Sequence, residues 1–360
     1  MASANHKVTI QSTGHQFEVR PSQTVLEAAI EAGVNLPYGC RNGACGSCKG
    51  KVISGKVMHD DYQRSAMTDD ELTAGNALFC CARPLEDLVI ESHEVDSLNG
   101  IRPRILPARV QRKDKLTHDV IALYLQLPSS ERLQFLAGQY IEFILKDGKR
   151  RAFSIANAPH DDMVMELHLR LIPGGQFTEY VFNEMPEKAI LRIEAPFGSF
   201  FLREDSDKPI ILVAGGTGFA PVKGIIEHML HTENTRPIKL YRGVRSLQDL
   251  YMNDICEKWA AEHKQITYIP VLSEPQPEDN WQGRTGLVHQ AVLDDIKDLS
   301  GYQAYVCGAP AMVDVAHKAF VEQGLPADEF FSDAFTFALL IIILVVKPTG
   351  LFGEKSTDKA

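Results

Sequence analysis

Residues 38–50 read YGCRNGACGSCKG, and a further pair, Cys80-Cys81, follows in ALFCCARP at 77–84. Cys40, Cys45 and Cys48 on one loop, with a remote fourth thiol, make the C-x4-C-x2-C spacing of a [2Fe-2S] centre, in which each iron takes two thiolates. Zinc is the rival metal. A zinc ribbon usually brings two separate C-x2-C knuckles, whereas here only Cys45 and Cys48 form one and Cys40 would stand idle. Gly39, Gly43, Gly46 and Gly50 punctuate the loop, as a backbone requires when it curls round a cluster, takes positive φ and aims N–H groups at sulfur. Five of the seven cysteines fall within the first 81 residues of a 360-residue chain that has no need of disulfide stapling, so the clustering points to metal.

Upstream of the loop lie a hairpin-like stretch, KVTIQSTGHQFEV at 7–19, and a helix-like one, TVLEAAIEAG at 24–33. With these, the segment from about 6 to 93 resembles the plant-type ferredoxin domain, which implies a β-grasp fold. Thiol chemistry alone does not choose between Cys80 and Cys81. The resemblance favours Cys80, because the family places a proline four residues after its last ligand and Pro84 stands there. Arg41 inside the loop either offsets the negative charge of a reduced cluster or is an exposed solubilising residue, the commoner role for a loop arginine.

Beyond the cysteines, residues 96–104 lose hydrophobic pattern, carry Gly and Pro, and read as a linker. Short runs of period-2 alternation follow: VIALYLQL at 120–127, YIEFIL at 140–145 and MELHLRLI at 165–172. Gly and Pro separate them, which predicts a small antiparallel β-barrel. Within it, Arg151-Ala152-Phe153-Ser154 and Gly174-Gly175-Gln176-Phe177-Thr178 resemble the flavin and pyrophosphate motifs of ferredoxin-NADP reductase-like flavoproteins. The resemblance implies FAD. An arginine grips a pyrophosphate bidentately, an aromatic ring packs on a flavin, a serine hydroxyl reaches the reactive flavin nitrogen, and Thr178 at a helix start adds donors. The family usually has Tyr where Phe153 stands, so stacking is kept and one hydrogen bond is lost.

The final third opens with an unbroken apolar run, PIILVA at 209–214, as expected of a strand buried on both faces. Gly215-Gly216-Thr217-Gly218-Phe219-Ala220-Pro221 then leads into a helical spacing, which resembles a dinucleotide phosphate loop with Pro221 in place of a third glycine. IKLYRGV, ITYIPVL and QAYVCG repeat the strand pattern with helical stretches between, so this unit is expected to be a doubly wound α/β sheet. Its strand ends should carry the ligand, which selects Arg242, Gly243, Arg245, Cys307, Gly308 and Pro310. Cys307 is either a neighbour of the nicotinamide, and so catalytic with Ser154, or a core residue. Cys256 reads as core. Arg242 and Arg245 leave NADH and NADPH open, and the YRGVR string, which resembles the form in NADH-using members of the ferredoxin-NADP reductase-like family, tilts the expectation toward NADH.

The three motif sets occur in order, and the whole resembles the NAD(P)H-dependent iron-sulfur flavoprotein reductases: a multidomain α+β and α/β chain with a ferredoxin domain at 1–95, a linker at 96–104, an FAD barrel at 105–205 and an NAD(P) domain at 206–335. The resemblance implies [2Fe-2S], FAD and NADH as cofactors, Phe335 covering the flavin, and a redox partner protein. That partner is a deoxysugar dehydratase, as for the CDP-6-deoxy-delta-3,4-glucoseen reductases, or an oxygenase component. A docking rim of Arg41, Asn42 and Lys49 is expected round the loop, while His118, His168 and His289 are expected to be structural or solvent-facing. The rival of another class is a zinc-held interaction module on a degraded reductase scaffold.

Hydrophobic residues are 44 % of the chain and charged residues 23 %, which are globular proportions. A net charge of −10 disfavours nucleic acid and anionic membranes as partners. No stretch reaches the roughly 20 apolar residues of a membrane span, so a cytoplasmic monomer is expected. FALLIIILVV at 337–346 does not fit the pattern of such an ending. With the residues after it, it resembles the end of the last helix of a transport permease, so 336–360 is expected to be either a fusion or sequence artefact, or a docking tail.

Overall fold

The computed structural model describes residues 5–95, 100–129 and 132–334. The expectations for Phe335 and for the tail at 336–360 lie outside the described residues.

The first unit contains β1 (His6–Ile10), β2 (Gln16–Val19), β3 (Lys49–Ser54), β4 (Val57–His59), β5 (Asn76–Leu78), β6 (Ala82–Pro84) and β7 (Leu88–Glu91), with helices α1 (Val25–Ala32) and α2 (Asp69–Thr73). Its main sheet has the order β2-β1-β7-β3-β5, in which β1 and β7 run parallel and the other neighbours antiparallel. Helix α1 begins in a reciprocal cap: the Thr24 hydroxyl accepts from the Glu27 amide and the Glu27 carboxylate from the Thr24 amide. Gly33, at φ 76°, ends it, and Val25, Leu26, Ala28 and Ala29 face the core. The thiol loop fills the interval between α1 and β3.

The second unit contains β8 (Arg104–Lys115), β9 (Val120–Gln126), β10 (Tyr140–Ile144), β11 (Arg150–Ser154), β12 (Val164–Arg170), helix α3 (Gln176–Asn183) and β13 (Ile190–Phe197). All neighbours in the order β11-β10-β13-β8-β9-β12 are antiparallel. The outer strands meet in a single bridge, Ile155 to Leu167, so the sheet curls round a core that includes Phe143, Phe153, Leu167 and Phe177.

The third unit contains β14 (Ile210–Gly215), α4 (Phe219–His231), β15 (Ile238–Val244), α5 (Asn253–Glu262), β16 (Ile266–Leu272), β17 (Arg284–Thr285), α6 (Val288–Asp295), β18 (Gln303–Gly308), α7 (Pro310–Glu322) and β19 (Phe330–Ala334). The sheet is wholly parallel with the order β17-β16-β15-β14-β18-β19. Order reverses between β14 and β18, so the loops leaving their carboxyl ends diverge and open a crevice. Apolar cores cover both faces.

The second unit is the hub. Its Tyr140 and Phe197 complete the core of the first unit, while Val120, Ala137 and Phe200 pack into one core of the third. At the crevice Gly218 is pressed on the Cys307 carbonyl, where a Cβ would stand 2.2 Å from the oxygen. Gly218→Ala is therefore expected to lose about 1–3 kcal/mol by overpacking, seen as a lower urea midpoint. Gly301→Ala, where an added Cβ meets nothing within 4 Å, is expected to leave the midpoint unchanged.

Candidate functional site

The thiol loop is shaped by left-handed backbone at Arg41 (φ 60°), Gly43 (φ 76°) and Gly46 (φ 75°). These turns aim amides inward. The N–H groups of Ala44 and Cys45 donate to Cys40 Sγ at 3.3 Å, that of Cys40 donates to Cys45 Sγ at 3.3 Å, and that of Gly43 donates to Cys80 Sγ at 3.3 Å. The four thiols fall into two hydrogen-bonded pairs, Cys40 with Cys45 and Cys48 with Cys80. The bond from Cys40 draws Cys45 down to about 6, and the bonds from Cys48 and Cys81 draw Cys80 down to about 4. Their partners Cys40 and Cys48 are raised by the same bonds and by burial. Two thiolate-bearing pairs ringed by amides suit a two-iron cluster. Cys81 Sγ lies 3.6 Å from Cys80 Sγ and donates to the Asp61 carbonyl at 3.7 Å, and that thiol is raised by its bond to Cys80 and by burial.

Arg41 is not the exposed solubilising residue that was the commoner expectation. Its guanidinium donates to Glu142 at 3.1 Å and lies 4.4 Å over the Phe197 ring, with 20 % side-chain exposure, because the neighbouring strand offers a buried carboxylate. Lys49 is likewise engaged, with Glu71 at 2.6 Å, so of the expected rim only Asn42 stands exposed.

A cavity of about 710 Å³ starts at this loop. Cys40, Arg41, Cys80, Tyr140 and Glu142 line it together with Arg151, Phe153, Gly174, Gly175 and Thr178. The Thr178 hydroxyl donates to the Gly175 carbonyl at 3.1 Å and accepts from the Ile172 amide at 3.1 Å, so what it offers a ligand is the first turn of α3 rather than a free hydroxyl. Ser154 is buried, and its hydroxyl faces Asp333 Oδ2 at 3.4 Å. Asp333, on β19, lines this cavity and lies near Gly39 of the thiol loop.

A second cavity of about 970 Å³ occupies the crevice of the parallel sheet. Gly215, Gly216, Thr217, Gly243, Arg245 and Gly308 line it, and it shares Phe153, Ile172 and Thr178 with the first cavity. Arg170 of β12 reaches in from the second unit against Gly216, paired with Asp119 at 3.2 Å. Gly218, Pro221, Cys307 and Pro310 are not on its wall. Gly218 and Pro221 are packed into the start of α4, Pro310 begins α7, and Cys307 is fully buried, its thiol raised by burial and by Asp333.

Arg242, expected at the ligand, is turned inward. Its guanidinium donates to the Tyr251 carbonyl at 2.7 Å and stacks 3.8 Å from the Phe219 ring centre, a cage that outcompetes the cavity for it. Cys256 is core, as expected. The three histidines singled out all line the second cavity. Of these, His168 is also held structurally: its Nε2–H donates to Glu166 at 2.9 Å, since a carboxylate only accepts, and its Nδ1 accepts from the Tyr251 hydroxyl at 3.0 Å. Sequence reasoning missed Glu142, Glu166, Arg170 and Asp333. For Arg170 a signal existed, an arginine ending a strand four residues before Gly174-Gly175.

Four thiols, a cavity leading from them and a second cavity meeting the first at one aromatic wall define an electron-transfer flavoprotein that draws on a dinucleotide. Comparison with known proteins agrees. Family models match in three segments: the 2Fe-2S iron-sulfur cluster binding domain at 8–85, the oxidoreductase FAD-binding domain at 107–202 and the oxidoreductase NAD-binding domain at 212–318. The CDP-6-deoxy-L-threo-D-glycero-4-hexulose-3-dehydrase reductase of Yersinia pestis is 39 % identical over 91 % of this chain and 98 % of its own length. The phenol hydroxylase P5 protein of Acinetobacter pittii is 35 % identical over 93 % of this chain and 95 % of its own. Among solved structures, an Amycolatopsis cytochrome P450 reductase superposes with a TM-score of 0.76 at 34 % identity, covering 92 % of this chain and 98 % of that one. This chain belongs to the NAD(P)H-dependent iron-sulfur flavoprotein reductases. It is an oxidoreductase that passes electrons from NAD(P)H through FAD to a [2Fe-2S] centre. Among the described residues no helix is long and apolar enough to cross a membrane.

The second and third units are joined by a buried ion pair, Glu166 to Lys223 at 3.0 Å, with Lys223 also on Glu227 at 2.8 Å. Burial alone would raise Glu166, yet the His168 bond and the Lys223 charge hold it at about 2 against an ordinary 4.5. A carboxyl depressed on folding adds stability above its unfolded pKa, and that contribution fades as pH falls from about 4.5 to about 2. Glu166→Gln is expected to cost about 1.5–3 kcal/mol near neutrality, through loss of a charged hydrogen-bond partner. The same variant should flatten the acid limb of the melting-temperature profile across that window. A limb as steep as that of the unaltered protein would count against this assignment.

Proposed function

We propose that the thiolates of Cys40, Cys45, Cys48 and Cys80 hold the cluster, and that Arg151, Phe153, Ser154, Gly174, Gly175 and Thr178 hold FAD. In the same reading Gly215, Gly216, Thr217, Gly243, Arg245 and Gly308 hold the nicotinamide dinucleotide. Gly218, Pro221, Arg242, Cys307 and Pro310 shape that site from beneath rather than touch the ligand along its length. The three units are then a β-grasp ferredoxin domain, an antiparallel flavin barrel and a doubly wound nucleotide domain, bounded at 1–95, 105–205 and 206–335. The observation that carries this is the shared wall: the two cavities meet at Phe153, Ile172 and Thr178, and the first is lined by Cys40 and Cys80 as well.

When bound, the flavin turns the two-electron hydride of the nicotinamide into single electrons for the iron-sulfur centre. The chain's own part is placement. Phe153 presents a ring at the junction, and the Ser154 hydroxyl, buried behind the wall, faces Asp333, which lines the first cavity. Arg245 offers a cation in the second cavity, but Asp249 and Glu274 share that wall and would repel an adenosine 2′-phosphate, which supports NADH as the donor.

The acceptor is a partner protein of the deoxyhexulose dehydrase kind, the reading favoured by the more similar of the two relatives. An oxygenase component is the second reading, supported by the phenol hydroxylase relative. Anaerobic visible spectra before and after stoichiometric NADH, then NADPH, test the path: flavin and cluster bands should both bleach, faster with NADH. Cluster colour that neither nucleotide bleaches would refute it. Cys80→Ser is expected to abolish the cluster absorption and Cys81→Ser to retain it, and the reverse pattern would move the fourth ligand to Cys81.

A further inference from the structure

On β10, Tyr140 and Glu142 lie two residues apart and so share one face of the strand. That face grips the thiol loop twice: the Tyr140 hydroxyl donates to the Gly39 carbonyl at 2.8 Å, and the Glu142 carboxylate accepts from Arg41 at 3.1 Å. Glu142 has 8 % side-chain exposure and takes a second guanidinium, Arg150, at 2.8 Å, which also bonds Glu194, the residue opposite Glu142 on β13. The set holds two cations and two anions and is electrically balanced. Arg41 occupies left-handed backbone at φ 60°, a conformation glycine adopts freely and an arginine only at a cost. Its side chain has a use that a glycine could not serve. It follows Cys40 directly, and Arg41, Cys40, Cys80 and Glu142 all line the first cavity.

We propose that Glu142 positions Arg41 as a fixed cation beside the cluster ligands, and that this interdomain pair sets how far electrons pass from the flavin cavity to the cluster. The step moves one electron and no nucleus: the flavin side loses one negative charge and the cluster side gains it. A cation beside the acceptor favours that gain, and a partly buried one is screened little by salt. The carboxylate both holds the cation in place and moderates its charge. The proposal rests on the assignment of the cluster to the thiols and of the flavin to this cavity.

The two partners have opposite charges, so their removal has opposite consequences. Anaerobic redox titration, following flavin absorbance and the EPR signal of the reduced cluster in one sample, reads the electron distribution directly. Arg41→Met is expected to shift the flavin-to-cluster equilibrium about tenfold toward the flavin, or about 59 mV for a one-electron couple. Glu142→Gln is expected to shift it toward the cluster, the double variant to fall between, and Arg41→Lys, which keeps the charge, to stay near the unaltered protein. If Arg41→Met fails to retain its chromophores, Arg41→Lys and Glu142→Gln decide between the same outcomes. Shifts of the same sign in both single variants, as a loosened loop would give, overturn the proposal, and so does the absence of any shift. An unaltered protein lacking either chromophore would instead overturn the cofactor assignment beneath it.

Discussion

The structure depends on the constraint that two cavities, made by different parts of the chain, must end at the same aromatic ring. Phe153 meets that constraint because β11 is an edge strand of the central sheet, so its last residues are free to form the partition between a groove running to the thiol loop and a crevice belonging to the parallel sheet. The surrounding rings Phe143 and Phe177, with centroids 5.7 Å from that of Phe153, fix its tilt. Displacing the partition would separate the two sites even if each stayed intact.

Two polar clasps keep the outer units registered on the central one. On the thiol side the clasp is carboxylate to guanidinium, Glu142 with Arg41; on the nucleotide side it is carboxylate to ammonium, Glu166 with Lys223. Both acids come from the central sheet, on β10 and β12, and both bases from the outer units. Buried ion pairs of this sort are not strong sources of stability, because desolvation offsets attraction, but a mismatched partner is heavily penalised. They therefore suit the task of fixing one domain orientation among several that apolar packing alone would tolerate.

What the sequence disclosed follows from how local each signal is. The thiol spacing, the Arg-Ala-Phe-Ser strand and the glycine-rich turn after PIILVA are each contained in a few adjacent residues, so their chemistry can be read without knowing what packs against them. Glu142, Arg170 and Asp333 sit in ordinary alternating strands and acquire a role only through residues about 50 to 180 positions away, such as Asp333 with Ser154. Arg242 was misplaced at shorter range: a strand-end arginine in a nucleotide domain suggests phosphate, and only the packed rings of Phe219 and Tyr251 reveal where it goes. The exposure expected for Arg41 failed because the acid that covers it lies 101 residues downstream.

That separation carries a temporal meaning. Synthesis proceeds at about 5–20 residues per second, so the thiol loop leaves the ribosome roughly 5–20 s before the strand bearing Tyr140 and Glu142, and still longer before Asp333. Once Cys80 has followed, the loop has its glycines, its amides and all four thiols of the set but no lid from the central sheet. An open cradle of thiols is therefore made before the strand that covers it. The clasp that orients the finished loop comes later in the chain than everything it covers.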